Sequence, residues 1–535
     1  MLFGKLGKIA LIAAGMALVS SPLTASALPG TPALPLPLPG GPSCDWPTFG
    51  QNTGRTFAAP DKCTSLSRLT APTLHPKWFV NTSSPVSAQP VVADGTVYVG
   101  TGGGTFYAID ATSGTTKWTY SVTDGSTNDY GKIVDSAAVT TVDGKRVAVF
   151  GGGATLYVLD ASDGNVPNRL LAAVCVDPNQ TLNPNPNAPC KSTTNTSEIE
   201  SSPAVVPFGN GETRVLVGMD YNETKNVGAA GLLEFNLQRG GNGGWNLTPL
   251  WKYDPETRKT YTDDPIHFGG ATGGHACGDV WSSPSIIGNL AVFGVGNCDF
   301  SNINTPPVTE SVSAVNVADG SLQWSYQPRD PVSASQLDLD FGATPNVLPN
   351  GNIGEGGKDG VYYSFKPAQG PAPDLAPKPD WATKIATASD YGGMIGSPAV
   401  GKANGSPAIF ASTSIPVHTG EPQVSLQNDV MNPGQAMGLH AIDATTGKKL
   451  WDAPATPVFG AASYAGGVVI VPDTVSFSAQ AYDADTGALL WSFPTGAPPA
   501  SPASVVGNSV YMGTGVDFGA PLSSLGGIWG FQTLP

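Results

Sequence analysis

A single pattern of alternating apolar and polar residues recurs along the chain. Its clearest copy, at residues 107–118, reads YAIDATSGTTKW, and further copies occupy residues 440–451, 481–491 and, more loosely, 314–324. In each copy the alternation predicts a β-strand, polar side chains bond their own backbone in the turn, and a Gly supplies the positive φ that closes it. Each copy therefore predicts a hairpin whose second strand carries a Trp.

A second pair of strands precedes these hairpins. The example at residues 89–100, QPVVADGTVYVG, has Asp94-Gly95 at its turn. Four short antiparallel strands per unit, at a period of roughly 40 residues, are typical of a β-propeller blade. The predicted fold class is all-β.

The number of blades follows from the outer strands. Seven of them can be recognised, six by a Trp and the second by Asn168 in the equivalent place; the Trp residues are Trp118, Trp251, Trp324, Trp381, Trp451 and Trp491. The last unit stops one strand short, and the segment Pro76-Lys-Trp-Phe-Val80 can complete it. We predict an eight-bladed propeller whose ring is closed by this N-terminal strand, which removes exposed sheet edges. The outer-strand Trp residues should pack between neighbouring blades, with each indole N–H reaching a carbonyl.

The first residues are typical of an export signal. Lys5 and Lys8 precede an apolar run at residues 9–19, and small residues at 25–27 form a cleavage site. The predicted organisation is a signal peptide, a Pro-rich linker and one propeller domain, at residues 1–27, 28–43 and 44–535. The apolar run is shorter than the roughly 20 residues of a spanning helix. We therefore expect cleavage after Ala27, no transmembrane segment in the mature chain, and a secreted, periplasmic or cell-surface location.

The net charge limits the kinds of partner that the chain can bind, and the cysteine content indicates its cellular compartment. The chain has 26 Lys and Arg against 41 Asp and Glu, a formal net charge of −15, which repels phosphate backbones and argues against nucleic acid. The cysteines suggest sequential disulfides in an oxidising compartment, although six cysteines permit fifteen connectivities. The sequential pairs are Cys44 with Cys63, Cys175 with Cys190, and Cys277 with Cys298. The CxxCH signature of a covalently attached c-type haem does not occur.

Three segments break the repeat with irregular, polar loops in the third to fifth units. They are VGMDYNE at 217–223; CGDVWSSP at 277–284 with VFGVGNCD at 292–299; and LDLDFG at 337–342 with GKDG at 357–360. Functional residues tend to lie where the local rules of a repeat fail. We therefore expect any chemistry of the protein in these blades.

The blade repeats, together with the WSSP, GxGN and DxDFG series, resemble the pyrroloquinoline quinone (PQQ)-dependent alcohol dehydrogenases, and most closely the polyvinyl alcohol dehydrogenase branch. The resemblance covers nearly all of the chain after the linker at the level of repeats, while its site motifs occupy only blades three to five. It implies a quinoprotein-type propeller that takes PQQ and calcium as cofactors.

Position by position, the resemblance assigns five site residues. Glu223, Asn297 and Asp340 resemble the metal ligands, and Asp340 also resembles the catalytic aspartate. Trp281 falls where a Trp stacks under the quinone, and Lys358 falls where a basic side chain reaches the quinone oxygens. The residue types suit this chemistry, because calcium takes several oxygen ligands, a carboxylate can accept the alcohol proton, and an ammonium can stabilise developing negative charge.

Each of the five also fits a structural role when it is considered singly. Glu223 fits a loop acid, Asn297 and Asp340 fit turn residues, Trp281 fits the core, and Lys358 fits a solvated hairpin charge. Convergence of the Glu223, Asn297 and Asp340 oxygens on one point would favour an enzyme, whereas splayed side chains would favour a binding protein.

Two functions are therefore considered. The first is an exported PQQ- and calcium-dependent dehydrogenase of a small-molecule or polymeric alcohol, which passes its electrons to a separate acceptor because the chain lacks a haem motif. The alternative is a non-catalytic PQQ-like propeller that acts as an extracytoplasmic binding or scaffold protein.

Overall fold

Short antiparallel strands make up nearly all the regular structure of the chain. The structure, a computed structural model, describes residues 44–126, 130–178, 188–191, 196–221, 229–241, 243–266, 277–298, 308–329, 338–368, 378–386, 388, 392–414, 437–516 and 526–534. Within this part of the chain, helix is limited to short 3₁₀ turns at Asp61–Cys63, Ala71–Thr73 and Gly209–Gly211. The predicted signal peptide and linker lie outside the described residues.

The strands form eight sheets. Blade 1 contains β2 (Val91–Ala93), β3 (Thr96–Gly100), β4 (Thr105–Asp110) and β5 (Thr116–Ser121), and blade 2 contains β6 (Ala138–Val142), β7 (Lys145–Gly152), β8 (Thr155–Asp160) and β9 (Leu170–Cys175). Blade 3 contains β10 (Ser197–Glu198), β11 (Ala204–Phe208), β12 (Glu212–Tyr221), β13 (Gly231–Arg239), β14 (Trp245–Asp254) and β15 (Lys259–Tyr261). Blade 4 contains β16 (Ser285–Ile287), β17 (Leu290–Val295), β18 (Ser311–Asn316) and β19 (Leu322–Tyr326). Blade 5 contains β20 (Asn346–Val347), β21 (Ile353–Gly356), β22 (Val361–Phe365) and β23 (Trp381–Lys384), and blade 6 contains β24 (Ala399–Ala403), β25 (Ser406–Ser412), β26 (Leu439–Asp443) and β27 (Lys449–Ala453). Blade 7 contains β28 (Ser463–Ala465), β29 (Val468–Asp473), β30 (Ser478–Asp483) and β31 (Leu489–Pro494). Blade 8 contains β32 (Ser504–Val506), β33 (Ser509–Thr514), β34 (Gly527–Gln532) and β1 (His75–Asn81).

The ring closes with strands from both ends of the chain, as the sequence predicts. β1 pairs antiparallel with β34 and so supplies the outer strand of blade 8. The inner strand β2 of blade 1 contacts the inner strands β6 and β32 of its two neighbours. The fold is the predicted eight-bladed, all-β propeller.

Four outer-strand Trp residues, Trp78, Trp251, Trp381 and Trp451, pack on the turn glycine of the following blade. A Cβ at Gly320 would lie 2.6 Å from the Trp251 ring, and a Cβ at Gly447 would lie 2.5 Å from the Trp381 ring. The indole N–H of Trp251 donates to the Val317 carbonyl at 3.2 Å in the same neighbouring turn. The turn glycine is therefore required twice, for its positive φ and for the space that the ring fills.

Blade 2 departs from one expectation. The position equivalent to the outer-strand Trp is Ala172, because it pairs with Val158 as Trp118 pairs with Ala108. Asn168 instead precedes the strand, and its side chain accepts a hydrogen bond from the Leu170 N–H at 3.2 Å. The assignment of Asn168 was wrong because the turn before β9 is longer than in the other repeats.

A chain of hydrogen bonds links the blades where their inner strands begin. In each link a backbone N–H of one blade donates to a side-chain hydroxyl of the next. The links run from Gln89 to Ser136 (2.8 Å), Ser136 to Ser202 (2.9 Å), Ser202 to Ser283 (2.8 Å), Ser283 to Thr344 (3.3 Å) and Thr344 to Ser397 (2.9 Å). This inter-blade belt joins blades 1 to 6.

The segment that precedes β1 follows the inner strands around the ring, and residues 46–65 are called the strap below. Strap backbone groups bond Val92, Val139, Ile286, Val347, Val400, Tyr464 and Gly507, which belong to blades 1, 2, 4, 5, 6, 7 and 8. Arg55 supplies the contact with blade 3, because its buried guanidinium donates to the carbonyls of Ser202 and Pro203 at 3.1 Å. The strap thus contacts every blade. Most of its partners lie within the inner strands, whereas the residues of the inter-blade belt precede these strands.

The cysteines form the three sequential disulfides that the sequence suggests, Cys44–Cys63, Cys175–Cys190 and Cys277–Cys298. Such bonds persist in oxidising compartments. Within the described residues, no helix has the length and apolar character needed to cross a membrane.

Substitution of the turn glycines tests the inter-blade packing. We expect Gly447→Ala to lower the free energy of unfolding by about 3 kcal/mol, because Trp381 must move and the left-handed backbone is strained. The matched control is Gly405→Ala in the same blade, where φ is +78° and no atom lies within 4 Å of the new Cβ; strain alone should cost about 1 kcal/mol there. Urea denaturation of both variants measures the difference, and equal losses would contradict the packing role.

Candidate functional site

Four of the five predicted site residues lie at one end of blades 4 and 5. Trp281 and Asp340 precede the inner strands β16 and β20, while Asn297 and Lys358 follow β17 and β21. Because the first two strands of a blade are antiparallel, the start of one and the end of the other meet at the same edge. Glu223 lies outside the described residues.

Lys358 is the centre of a charge cluster in which Lys358 and Asp340 are buried and Asp338 is partly exposed. Its Nζ donates to Asp340 Oδ2 at 2.7 Å and to Asp338 Oδ1 at 3.1 Å. The same ammonium lies 5.6 Å from the centroid of the Trp281 ring. Trp281 packs against the backbone of Gly342, where a Cβ would fall 1.5 Å from the indole. One cation therefore holds two carboxylates beside an aromatic side chain.

Asn297 joins this cluster from blade 4. Its Nδ2 donates to Asp338 Oδ1 at 3.2 Å, and its Oδ1 accepts a hydrogen bond from the Tyr221 hydroxyl at 3.1 Å. The Asn297 carbonyl accepts the N–H of Gly278 at 3.0 Å, and the Cys277–Cys298 disulfide closes the loop beside it. Backbone and disulfide thus hold the amide in place.

The proton affinities of the cluster reflect its burial and its charges. Burial alone would lower the pKa of Lys358, but the Asp340 and Asp338 carboxylates outweigh burial and raise this pKa above its ordinary value. Burial and the neighbouring Asp340 charge raise the pKa of Asp338, against the opposing effect of Lys358. The ammonium form of Lys358 is therefore strongly favoured, whereas Asp338 holds a proton more readily than an ordinary aspartate.

One oxygen of the cluster is left over. Asp340 Oδ1 is buried and has no hydrogen-bond partner in the part of the chain that the structure describes. A buried carboxylate oxygen without a partner is costly. Asp340 is therefore the position in the cluster where an additional ligand would bring the largest gain.

Comparisons with known proteins match the whole architecture. A sequence profile of PQQ repeats, described as outer membrane protein assembly factor BamB, matches residues 41–173 and 393–525. The quinohemoprotein alcohol dehydrogenase of Comamonas testosteroni aligns with 92% of this chain and 81% of its own, at 17% identity and a TM-score of 0.63. The chain has the propeller fold of this enzyme, and two stretches of it match PQQ repeats.

Two further solved structures agree with this assignment. The quinohemoprotein alcohol dehydrogenase ADHIIG of Pseudomonas putida HK5 aligns with 91% of this chain and 80% of its own, at 16% identity and a TM-score of 0.63. A europium-containing methanol dehydrogenase covers 91% and 98%, at 15% identity and a TM-score of 0.61. None of the curated proteins matches the sequence. At these identities the likeness establishes the fold and leaves the activity to the site residues.

A cation and a quinone fit the residues of the cluster in part. Asn297 Oδ1 and Asp340 Oδ1 are the kinds of oxygen that calcium binds, and Trp281 provides an aromatic surface beside them. Among the described residues, no three His, Cys, Asp or Glu side chains are placed to hold a metal ion. The predicted carboxylate of Glu223 falls outside that part of the chain, so the roles of all five residues stay predictions.

The structure adds residues that the sequence analysis did not assign. Asp338 and Tyr221 lie within the irregular segments already singled out, so the signal that marked Asp340 also marked them. Glu310 and Arg329, which contact the Asp338–Asp340 segment, had no such signal, because Glu310 directly precedes an ordinary repeat strand and Arg329 follows one. Burial and the Asp340 charge raise the pKa of Glu310 to about 7, despite the opposing charge of Arg329.

The free energy of unfolding of variants tests whether Lys358 and Asp340 form a buried, coupled ion pair. We expect Lys358→Met to lower the free energy of unfolding by about 3 kcal/mol, because the Asp340 carboxylate stays buried without its cation. The double variant Lys358→Met/Asp340→Asn should recover most of this loss. Lys402→Met is the control, since its partner Asp61 is exposed and such pairs contribute at most about 1 kcal/mol. Urea denaturation provides the measurement, and a loss no larger than that of the control would contradict a buried, coupled pair.

Proposed function

We propose that this propeller is an exported dehydrogenase that oxidises alcohols with PQQ and a calcium ion and passes the electrons to a separate acceptor. The observation that carries the proposal is the cluster of Asp338 and Asn297 around the buried Lys358–Asp340 pair, beside Trp281. The likeness in fold to two alcohol dehydrogenases and a methanol dehydrogenase supports the same reaction class.

In this proposal the residues of the chain bind, orient and move a proton. Asn297 Oδ1 and Asp340 Oδ1 would be ligands of the cation, and Trp281 would support the flat ring of the cofactor. The Asp340–Asp338 pair accepts the hydroxyl proton of the alcohol, and Lys358 balances the negative charge of the two carboxylates. The bound quinone supplies an acceptor for the hydride that leaves the alcohol carbon.

The location of the cluster favours catalysis over a purely structural role. Burial of charged groups is unfavourable, and a binding propeller can close its ring with apolar packing alone. The Lys358 ammonium forms ion pairs with two carboxylates at once, Asp338 and Asp340. A set of charged groups whose burial is costly is therefore expected to serve a reaction.

The alternative is a non-catalytic propeller that acts as a binding or scaffold protein. Its support is the profile described as an assembly factor, which matches residues 41–173 and 393–525. That match leaves out residues 174–392, and all the residues of the cluster fall in this interval. The profile therefore describes the blades on either side of the site and does not bear on the site itself.

Cofactor reconstitution tests the dehydrogenase proposal. Addition of PQQ and Ca²⁺ to the purified protein should quench its Trp fluorescence and allow dye reduction with simple alcohols or polyvinyl alcohol. Removal of the metal with EDTA should abolish turnover, and Ca²⁺ should restore it. If neither binding nor turnover is observed with any of these alcohols, the dehydrogenase proposal is wrong and the binding role is preferred.

Replacement of the proposed proton acceptor gives a second test. We expect Asp340→Asn to lower kcat by about 10²–10⁴-fold, because the amide cannot accept the hydroxyl proton. Asp319→Asn, at an exposed turn of blade 4, is the matched control and should keep the wild-type rate. A variant at Asp340 that retains full turnover would contradict its role.

A further inference from the structure

The segment that carries the two carboxylates has no regular secondary structure of its own. Asp338 and Asp340 flank Leu339, and β20 begins only at Asn346. Both backbone groups of Leu339 are nevertheless held by side chains of blade 4. Its N–H donates to Glu310 Oε1 at 3.3 Å, and its carbonyl accepts from Arg329 Nη2 at 2.8 Å. The peptide between the carboxylates is therefore clamped from both sides.

Arg329 also reaches the hairpin that carries Lys358. Its Nη1 donates to Asp359 Oδ2 at 2.5 Å, and the same oxygen accepts the Tyr363 hydroxyl at 2.6 Å. Asp359 Oδ1 accepts the N–H of Val361 at 3.0 Å, which fixes the turn. One guanidinium thus connects the segment that presents Asp340 with the turn that presents Lys358.

We propose that Arg329 is a positioning residue of the site, which sets the relative placement of the Asp340 carboxylate and the Lys358 ammonium through Leu339 and Asp359. This inference rests on the proposed dehydrogenase function for its effect on turnover, although the placement itself is a property of the cofactor-free protein. Arg329 touches neither reacting group. Glu310 completes the clamp on the opposite side of the peptide.

The planar fork of arginine is what this role needs. Two of its nitrogens donate in different directions at once, to a carbonyl and to a carboxylate, with the side chain largely buried. A lysine carries the same charge on a single nitrogen and can hold only one of the two elements firmly. The geometry therefore predicts that charge alone does not replace Arg329.

Kinetics of the reconstituted enzyme test this prediction. Arg329→Gln should lower kcat by about 100-fold with little change in KM, since a displacement of about 1 Å at the reacting groups has an effect of that size. Arg329→Lys should recover only part of the loss. The matched control is Arg169→Gln, a buried arginine of blade 2 that donates to the carbonyls of Asp160, Ser162 and Gly164. It should reduce stability and leave kcat unchanged. Full rescue by lysine, or an equal loss of kcat in the control, would overturn the proposal.

A second readout needs no cofactor. In the apo-protein, reductive methylation of Lys358, followed by mass spectrometry of its peptide, should be about tenfold faster in Arg329→Gln than in wild type, because local opening is easier. Labelling of the exposed Lys402 should stay the same. An unchanged rate at Lys358 would show that Arg329 does not set its placement. If wild type lacks turnover with every alcohol, the dehydrogenase function fails, and this labelling still decides the role of Arg329.

Discussion

The hydrogen bonds of the inter-blade belt fix the starts of the inner strands of blades 1 to 6 relative to one another. Each joins a backbone N–H of one blade to a hydroxyl of the next at 2.8 to 3.3 Å, so it fixes two neighbouring sheets at a distance that loose apolar packing alone would not specify. Ser283 and Thr344 belong to this belt, and Trp281 and Asp340 lie only a few residues before them. The spacing of blades 4 and 5 in the ring therefore sets the distance between the segments that carry Trp281 and Asp340.

The site itself is a local exception to the chemistry of the propeller. Apolar clusters and the contact of Trp with glycine contribute to the packing of the ring, whereas the site in blades 4 and 5 brings together two carboxylates, one ammonium and an amide. These groups satisfy one another except at Asp340 Oδ1, and the clamp of Glu310 and Arg329 holds them against their mutual repulsion. Rigidity at this edge comes from polar contacts between blades, because the segments that present the side chains are not strands.

The fold was predictable from the sequence because the strands and turns of each blade are marked by local patterns that repeat along the chain. The Asp-x-x-x-Gly turns, the outer Trp residues and the strand at residues 76–80 predicted the blade count and the closure, and the register of Asn168 was wrong because one turn is longer. The resemblance led to Trp281, Asn297, Asp340 and Lys358, which the structure brings together. Glu310, Arg329 and the strap could not be predicted, since their partners are hundreds of residues away or belong to another blade, and no local pattern records such contacts.

The strap has a consequence for the order of events during folding. Residues 46–65 leave the ribosome before any blade exists, yet their partners extend from Val92 to Gly507, so this segment reaches its final position only when the last sheet has formed. Contacts of such long sequence separation slow folding, because a large loop must close before they yield any gain. The Cys44–Cys63 bond shortens the search by joining both ends of the segment in advance. A segment that is synthesised before the blades is therefore among the last to become native.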